Sequence, residues 1–360
     1  MLYLHKNRFV KSKYLLPFFL FVQILFLKVI AFFPEWIEIY YSNGLYLFIS
    51  KTARISLGSL PFSIGDCLYA ILILFVLRWF YKTRMTWKLY WKKNVLTVLS
   101  FLSVFYFTFH LLWGLNYYRE PLFEKMNISR DYSDADLLAF TKKLISKTNS
   151  IQYQITQNDS VKVTFPYPHD SLFSMYKNGY KSLAKEHPFF NYEHKSIKKS
   201  LFSLPLTYMG FSGYLNPFTN EAQVNDLMPL YNLPVVITHE SAHQLGYASE
   251  SECNFIGYLA CVKNNDIYFQ YSGYSFALRY CLGNWNRRDE KTFKALLKTV
   301  HPGILENYQE SQDFWESYQG PIDIVFHAFY DQFLKANQQT EGMDSYSKFL
   351  NLLINYDLKT

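Results

Sequence analysis

Apolar and polar positions divide the chain into two unlike parts: three long apolar runs in the first third, then segments in which hydrophobic residues recur at helical or alternating spacing. Residues 14–33, YLLPFFLFVQILFLKVIAFF, reach the ~20 residues a bilayer core requires and are interrupted only by Gln23 and Lys28. Residues 62–81 form a second run, with Asp66 and Arg78 close enough to its ends to reach the interfaces. Residues 95–113, VLTVLSFLSVFYFTFHLLW, carry no acidic or basic residue apart from His110 and end in aromatics suited to a headgroup belt. These runs predict a membrane domain over 1–114 with three transmembrane helices. No small-residue cleavage site follows the first run, so it is expected to be retained.

From 115 to 360 the pattern is that of one extramembrane domain, giving an α+β fold that is mainly helical with a small sheet. DYSDADLLAFTKKLISKT reads as a helix: Ser133 can cap it, Asp136 follows three residues later, and Leu137, Leu138, Phe140, Leu144 and Ile145 make its apolar stripe. A further helix is expected over 171–185. Glu221 to Asn225 reads as an extended strand bounded by turn residues. Pro234 suits the first turn of a helix running to about Leu245, Gly246 is a stop, and Ser249 can cap the next helix. Helices are also expected over 268–281, 290–299, 322–337 and 345–356.

Composition strengthens the membrane reading. The 33 Phe, 31 Tyr and 7 Trp make 20% of the 360 residues, against 18% charged. The net charge of +7 does not mark a nucleic-acid surface, because the basic residues gather beside the apolar runs. Lys6, Arg8, Lys11 and Lys13 precede the first run, and Lys82, Arg84, Lys88, Lys92 and Lys93 crowd the connection between the second and third. Both are expected on the cytoplasmic side, whereas the connecting loop Pro34–Pro61 and everything after Trp113 fall on the other. The four cysteines contain no CxxC pair, which excludes a zinc ribbon or a thioredoxin motif.

The chemistry concentrates in THESAHQLGYASESECNF, residues 238–255. On a helix, His239 and His243 lie one turn apart on one face and can both offer a nitrogen to a single ion, while Glu240 projects beside them. This HExxH spacing suits one Zn2+ per chain held by two imidazoles, with Glu240 as general base toward an attacking water. A catalytic zinc needs a third protein ligand, and both Glu250 and Glu252 are available. If Ser249 caps its helix, Glu252 sits where a capping box would engage it. Glu250 stays free, with Asn254 one turn further on to orient His239 as a supporting hydrogen-bond partner. Tyr346, Tyr274, His327 and Arg279 are candidate stabilisers of a developing oxyanion, Tyr346 foremost. Glu221, Ala222, Gln223, Val224 and Asn225 form a candidate strand for pairing with an extended peptide. LPVVITHESAHQLGY is too short and polar to cross a bilayer, so the motif belongs outside it.

HESAHQLGYASESECNF, together with GYLNPFTNEAQVN, FLKANQQTEGMDSYSKFLNLL, LLWGLNYYREPL and the three apolar runs, resembles an uncharacterised family of bacterial three-span membrane proteins, domain of unknown function 3810. That family is assigned to the zincin-like metallopeptidase clan, and the resemblance covers nearly the whole chain. It implies a zincin-like fold, a bacterial plasma-membrane location, and a metal site at His239, His243 and a downstream glutamate. Gluzincins usually place an Asp four residues after that glutamate; Glu250 and Asn254 meet the spacing with Asn in place of Asp. The six residues between His243 and Glu250 are fewer than gluzincins have. Ser249, where a metzincin would have its third ligand, rules that subgroup out. The expected function is a membrane-anchored zinc metallopeptidase acting on a peptide or protein, with the lipid bilayer as a partner and no nucleic acid. The alternative is an inactive membrane protein with a structural or vestigial metal site, serving as a binding or assembly module.

Overall fold

The computed structural model describes residues 2–339 and 346–360, with side chains from Lys13 onward except those of Tyr346 and Ser347. Three helices, Leu2–Ile30, Ile64–Thr83 and Trp91–Leu112, are long and apolar enough to cross a membrane. They leave their apolar side chains largely uncovered, Phe18, Leu74, Phe75 and Phe101 among them. The first and third pack on each other through Phe19 and Phe107 and through Gln23, whose amide donates to Ser103 Oγ at 3.1 Å. A polar pair facing another helix rather than lipid gives the Gln23 amide N–H groups a partner inside the bundle.

The connection between the first two of these helices is not the loop expected from its composition. Ile37–Leu45 winds as a π-helix and Tyr46–Leu57 as an α-helix, and Tyr41, Tyr46, Ser50 and Arg54 are buried. Tyr41 and Tyr46, together with Leu27, Ile37, Trp113 and Tyr118, form a small core that also contains Ala248 from the HExxH region. Hydropathy alone could not show this, because the partners of these residues lie 69 to 198 positions away.

The rest of the chain builds one large, mostly helical core. Ser133 and Asp136 close the capping box at the start of Asp134–Thr156. The helix expected over 171–185 divides into His169–Met175 and Lys177–Glu186, and Pro302–Glu316, not anticipated from the sequence, begins with a proline in its first turn. The sheet has three short strands: β1 (Ile197–Lys199), β2 (Gly213–Leu215) and β3 (Ala222–Val224), in the order β1-β3-β2. β3 pairs parallel with β1 and antiparallel with β2, and it lies against the histidine helix Leu233–Gln244.

Candidate metal centre

The histidine helix begins with Pro234 in its first turn and ends where Gly246 adopts φ +85°, a left-handed conformation open to glycine at no steric cost. Three residues later Ser249 turns into the acid helix, Glu250–Val262. This short reversal folds the two helices against each other and carries Glu250 back over the histidines. Glu250 Oε2 lies 3.2 Å from His239 Nε2, and Glu250 Oε1 lies 3.8 Å from His243 Nε2. One ligand atom from each of the three falls within 4.8 Å of the others.

The opposite ring nitrogens decide how the imidazoles face this point. His243 Nδ1 meets the Tyr247 carbonyl at 2.8 Å, and a carbonyl only accepts, so the proton sits on Nδ1 and the Nε2 lone pair is left for the cluster. His239 Nδ1 meets Asn254 Oδ1 at 2.8 Å and is oriented in the same way. Two lone pairs and a carboxylate aimed at one point repel one another unless a cation sits among them. The donor set, two imidazoles and one carboxylate, is one that zinc favours. The residues therefore fit a bound zinc ion.

Glu240 is 3% exposed and leaves Oε2 without a hydrogen-bond partner among the described residues. Burial pushes its carboxyl up to about 6, against the opposing pull of His239 and His243. Its Oε1 lies beside Gly213 of β2: a Cβ at that glycine would stand 2.7 Å from it. The absence of a side chain there lets the strand run directly past the carboxylate. Glu250 is affected in the opposite sense. Burial raises it, but the electrostatic pull of the His239 and His243 side chains outweighs that and holds it well below the usual carboxylate range.

The capping box expected between Ser249 and Glu252 does not form. Ser249 makes no side-chain cap, and Glu252 Oε1 instead accepts from the Leu122 amide at 2.7 Å, because the exit segment from the third apolar helix passes directly over it. Glu252 thus has a structural partner, though not the predicted one, and the cluster at the histidines is made with Glu250 instead. The cap is supplied from elsewhere in the chain: the Glu250 amide donates to Gln339 Oε1 at 3.2 Å.

The proposed peptide-pairing strand is also placed differently. β3 is central, so both of its edges are already occupied. Glu221 accepts from the Ile64 and Gly65 amides and from Lys198, and Asn225 donates to Thr207 and to the Phe211 carbonyl. Glu221 to Asn225 therefore anchor the second apolar helix and the sheet, and β2, beside Glu240, is the strand of this sheet that lies at the edge nearest the cluster.

Of the oxyanion candidates, the Tyr346 side chain lies outside the described residues. Tyr274 packs on Tyr258, and Arg279 lies over the Tyr308 ring, neither of them at the cluster. His327 stacks with Phe211. The tyrosine that does reach the cluster is Tyr330, one turn after His327, whose hydroxyl donates to Glu250 Oε1 at 2.6 Å. No local motif marks it; only the helical register from His327 points that way.

The carbonyls that end the histidine helix are satisfied by the membrane-proximal segments. Trp113 Nε1 donates to the His243 carbonyl at 3.2 Å, and Tyr46 and Ser50 hydroxyls donate to that of Gln244, both at 3.0 Å. Arg119 donates to the Gly246 carbonyl at 2.8 Å and lies over the Tyr247 ring. Its other nitrogens form a two-pronged pair with Glu38, which Lys125 joins at 2.8 Å. All four cysteines are free thiols; Cys253, Cys261 and Cys281 are buried.

This helix–turn–helix and the segments that brace it lie within a stretch, residues 41–354, that matches the family described as protein of unknown function (DUF3810). The chain belongs to that family. No curated protein and no solved structure matches it. For this DUF3810 protein, the chemistry must therefore be read from its own side chains.

Proposed function

We propose that this protein is a membrane-anchored zinc metallopeptidase of zincin-like design, with its catalytic domain outside the cytoplasm. The observation that carries the reading is the convergence of His239, His243 and Glu250 beside a buried Glu240 whose Oε2 has no other partner. Zinc held by those three residues would supply a Lewis acid that polarises the scissile carbonyl and acidifies a water. Glu240 accepts the proton of the attacking water at Oε2 and returns it to the leaving amine. Asn254 and the Tyr247 carbonyl hold the imidazoles in register, and Tyr330 steadies the Glu250 carboxylate. An extended peptide adding to β2 would pass alongside Glu240, since Gly213 leaves room there. The orientation rests on the basic residues before the first apolar helix and between the second and third, which favour the cytoplasmic side.

The test is metal content and turnover of the full chain in lipid. The wild type should carry one zinc per chain when purified without chelator. Glu240→Gln should keep that zinc and lose peptide hydrolysis by roughly 10²–10⁴-fold, the usual weight of a general base. A metal-free wild type would move the assignment to a binding or assembly module, and a Glu240→Gln protein of undiminished activity would overturn the general-base role of Glu240.

A further inference from the structure

The helix that carries Tyr330 has two faces of opposite character. Pro321–Ala336 turns Asp323, His327, Tyr330 and Leu334 inward, and Leu334 is fully buried. Its other side leaves Ile322 51%, Ile324 69%, Val325 64% and Phe329 65% exposed. Water-facing helices do not present such a run of large aliphatic and aromatic groups, and a patch of this kind marks a surface that something apolar covers.

Its position identifies the cover. Phe333 lies 6.2 Å from Phe109, near the end of the third apolar helix, and 6.1 Å from Tyr117 just beyond it. The uncovered face is therefore continuous with the apolar surface of Trp91–Leu112, where Phe107 and Leu111 are also exposed. A second exposed patch, Leu201, Leu204 and Tyr208, stands at the corresponding end of the second apolar helix, where the Leu201 amide donates to Asp66 at 2.7 Å. Tyr208 meets Tyr318, just before the two-faced helix, at 5.2 Å. Both patches thus lie where two membrane-crossing helices enter the domain.

We propose that Pro321–Ala336 is an interfacial helix whose outer face lies in the lipid of the adjacent leaflet and whose inner face closes over the His239–His243–Glu250 cluster. Apolar side chains of this size on one side of a helix, with Lys335 and Asp331 paired at its end, suit a helix lying in the headgroup and acyl boundary. Its inner face is tied to the cluster at two points. Tyr330 donates to Glu250, and Gln339, just past the helix, accepts from the Glu250 amide and donates to the Ala248 carbonyl at 3.0 Å. A helix is ~10 Å across, so the cluster sits about one helix diameter from the lipid. Whatever reaches it does so at the membrane surface. This inference requires a bilayer and not proteolysis, so it stands or falls apart from the reaction assigned above.

The experiment is site-directed spin labelling of the full chain, in a Cys67→Ser background, reconstituted into vesicles of phosphatidylethanolamine and phosphatidylglycerol. Nitroxides are placed separately through Ile324→Cys, Val325→Cys and Phe329→Cys, with Lys298→Cys as an exposed control, so the loss of one variant to misfolding leaves the test intact. Labels on the helix should collide several-fold more with oxygen than with a water-soluble nickel chelate, and the control should show the reverse. Labels as open to nickel as the control would overturn the proposal. So would labels shielded from both reagents, the signature of a second copy or another protein on this face.

Discussion

At one end of the three apolar helices, residues 84–93 run through solvent. Met85 is 86% exposed, and Arg84 and Thr86 bond only to carbonyls of their own turn. At the other end, Tyr46, Ser50, Trp113 and Arg119 are buried and spend their donors on the carbonyls of His243, Gln244 and Gly246. Both ends connect helices of similar length and hydropathy. Only one of them is structurally part of the candidate metal centre. The contrast shows that the ends of apolar helices can do more than link them: here the segments that join and leave them deliver the groups that terminate the histidine helix, which cannot satisfy its own last carbonyls.

The widest test of that contrast removes one end. A chain starting at residue 115 lacks Tyr46, Ser50, Trp113 and Glu38, which strips the His243 and Gln244 carbonyls of these donors and leaves Arg119 buried without its carboxylate. It also strips away the core that Tyr46 and Trp113 build around Ala248, and the combined loss of burial and hydrogen bonds is set against a domain stability of only roughly 5–15 kcal/mol. Such a chain is expected to bind no zinc and to show no cooperative melt by circular dichroism. The same measurements on full-length Lys88→Ser should match wild type, and a truncated domain that folds and binds zinc would break the comparison.

A smaller loss is expected from Arg119→Met. It leaves Glu38 buried with Lys125 alone and costs up to roughly 3 kcal/mol, the lower part of the range for breaking a buried pair. Thermal unfolding in detergent, followed by zinc release on titration with a chelator, would read both consequences.

The same pair predicts a pH dependence. Burial pushes the Glu38 carboxyl up, but Arg119 and Lys125 outweigh it and hold it lowered to about 2. Because the folded-state value lies below the unfolded one, the stabilisation is fully present above about pH 4.5 and is lost as pH falls toward 2. Melting temperature should decline through that window in wild type and less steeply in Arg119→Met. Smallest is Trp113→Phe, which keeps the ring and loses one hydrogen bond to the His243 carbonyl. It should cost about 0.5–1.5 kcal/mol, measured by the shift in melting temperature.

Legibility from sequence followed the range of the interactions involved. The helices on either side of Gly246, the pairing of His239 and His243, and the reach of Asn254 to His239 depend on residues within about twenty positions of one another, so spacing and capping chemistry expose them. Glu252 illustrates the limit. Local rules assign it a capping box with Ser249, but a closer donor, the Leu122 amide, arrives from the membrane exit and takes its carboxylate. β3 fails in the same way, since an isolated strand reading cannot tell an edge from a centre until its neighbours are known.

What the sequence determined by itself is therefore the set of elements and the chemical inventory: three apolar helices, a histidine helix stopped at glycine, an acid helix, and the residue types that zinc favours. Tertiary structure decided which of these groups meet. It brought Glu250 rather than Glu252 to the histidines, set β2 rather than β3 beside Glu240, placed Tyr330 at Glu250, and turned the connection Pro34–Pro61 from a loop into a buried support. The physical reason is common to all four. Each depends on a buried polar group finding its nearest partner across the fold, and that partner is chosen by packing between segments whose separation in the chain carries no local signal.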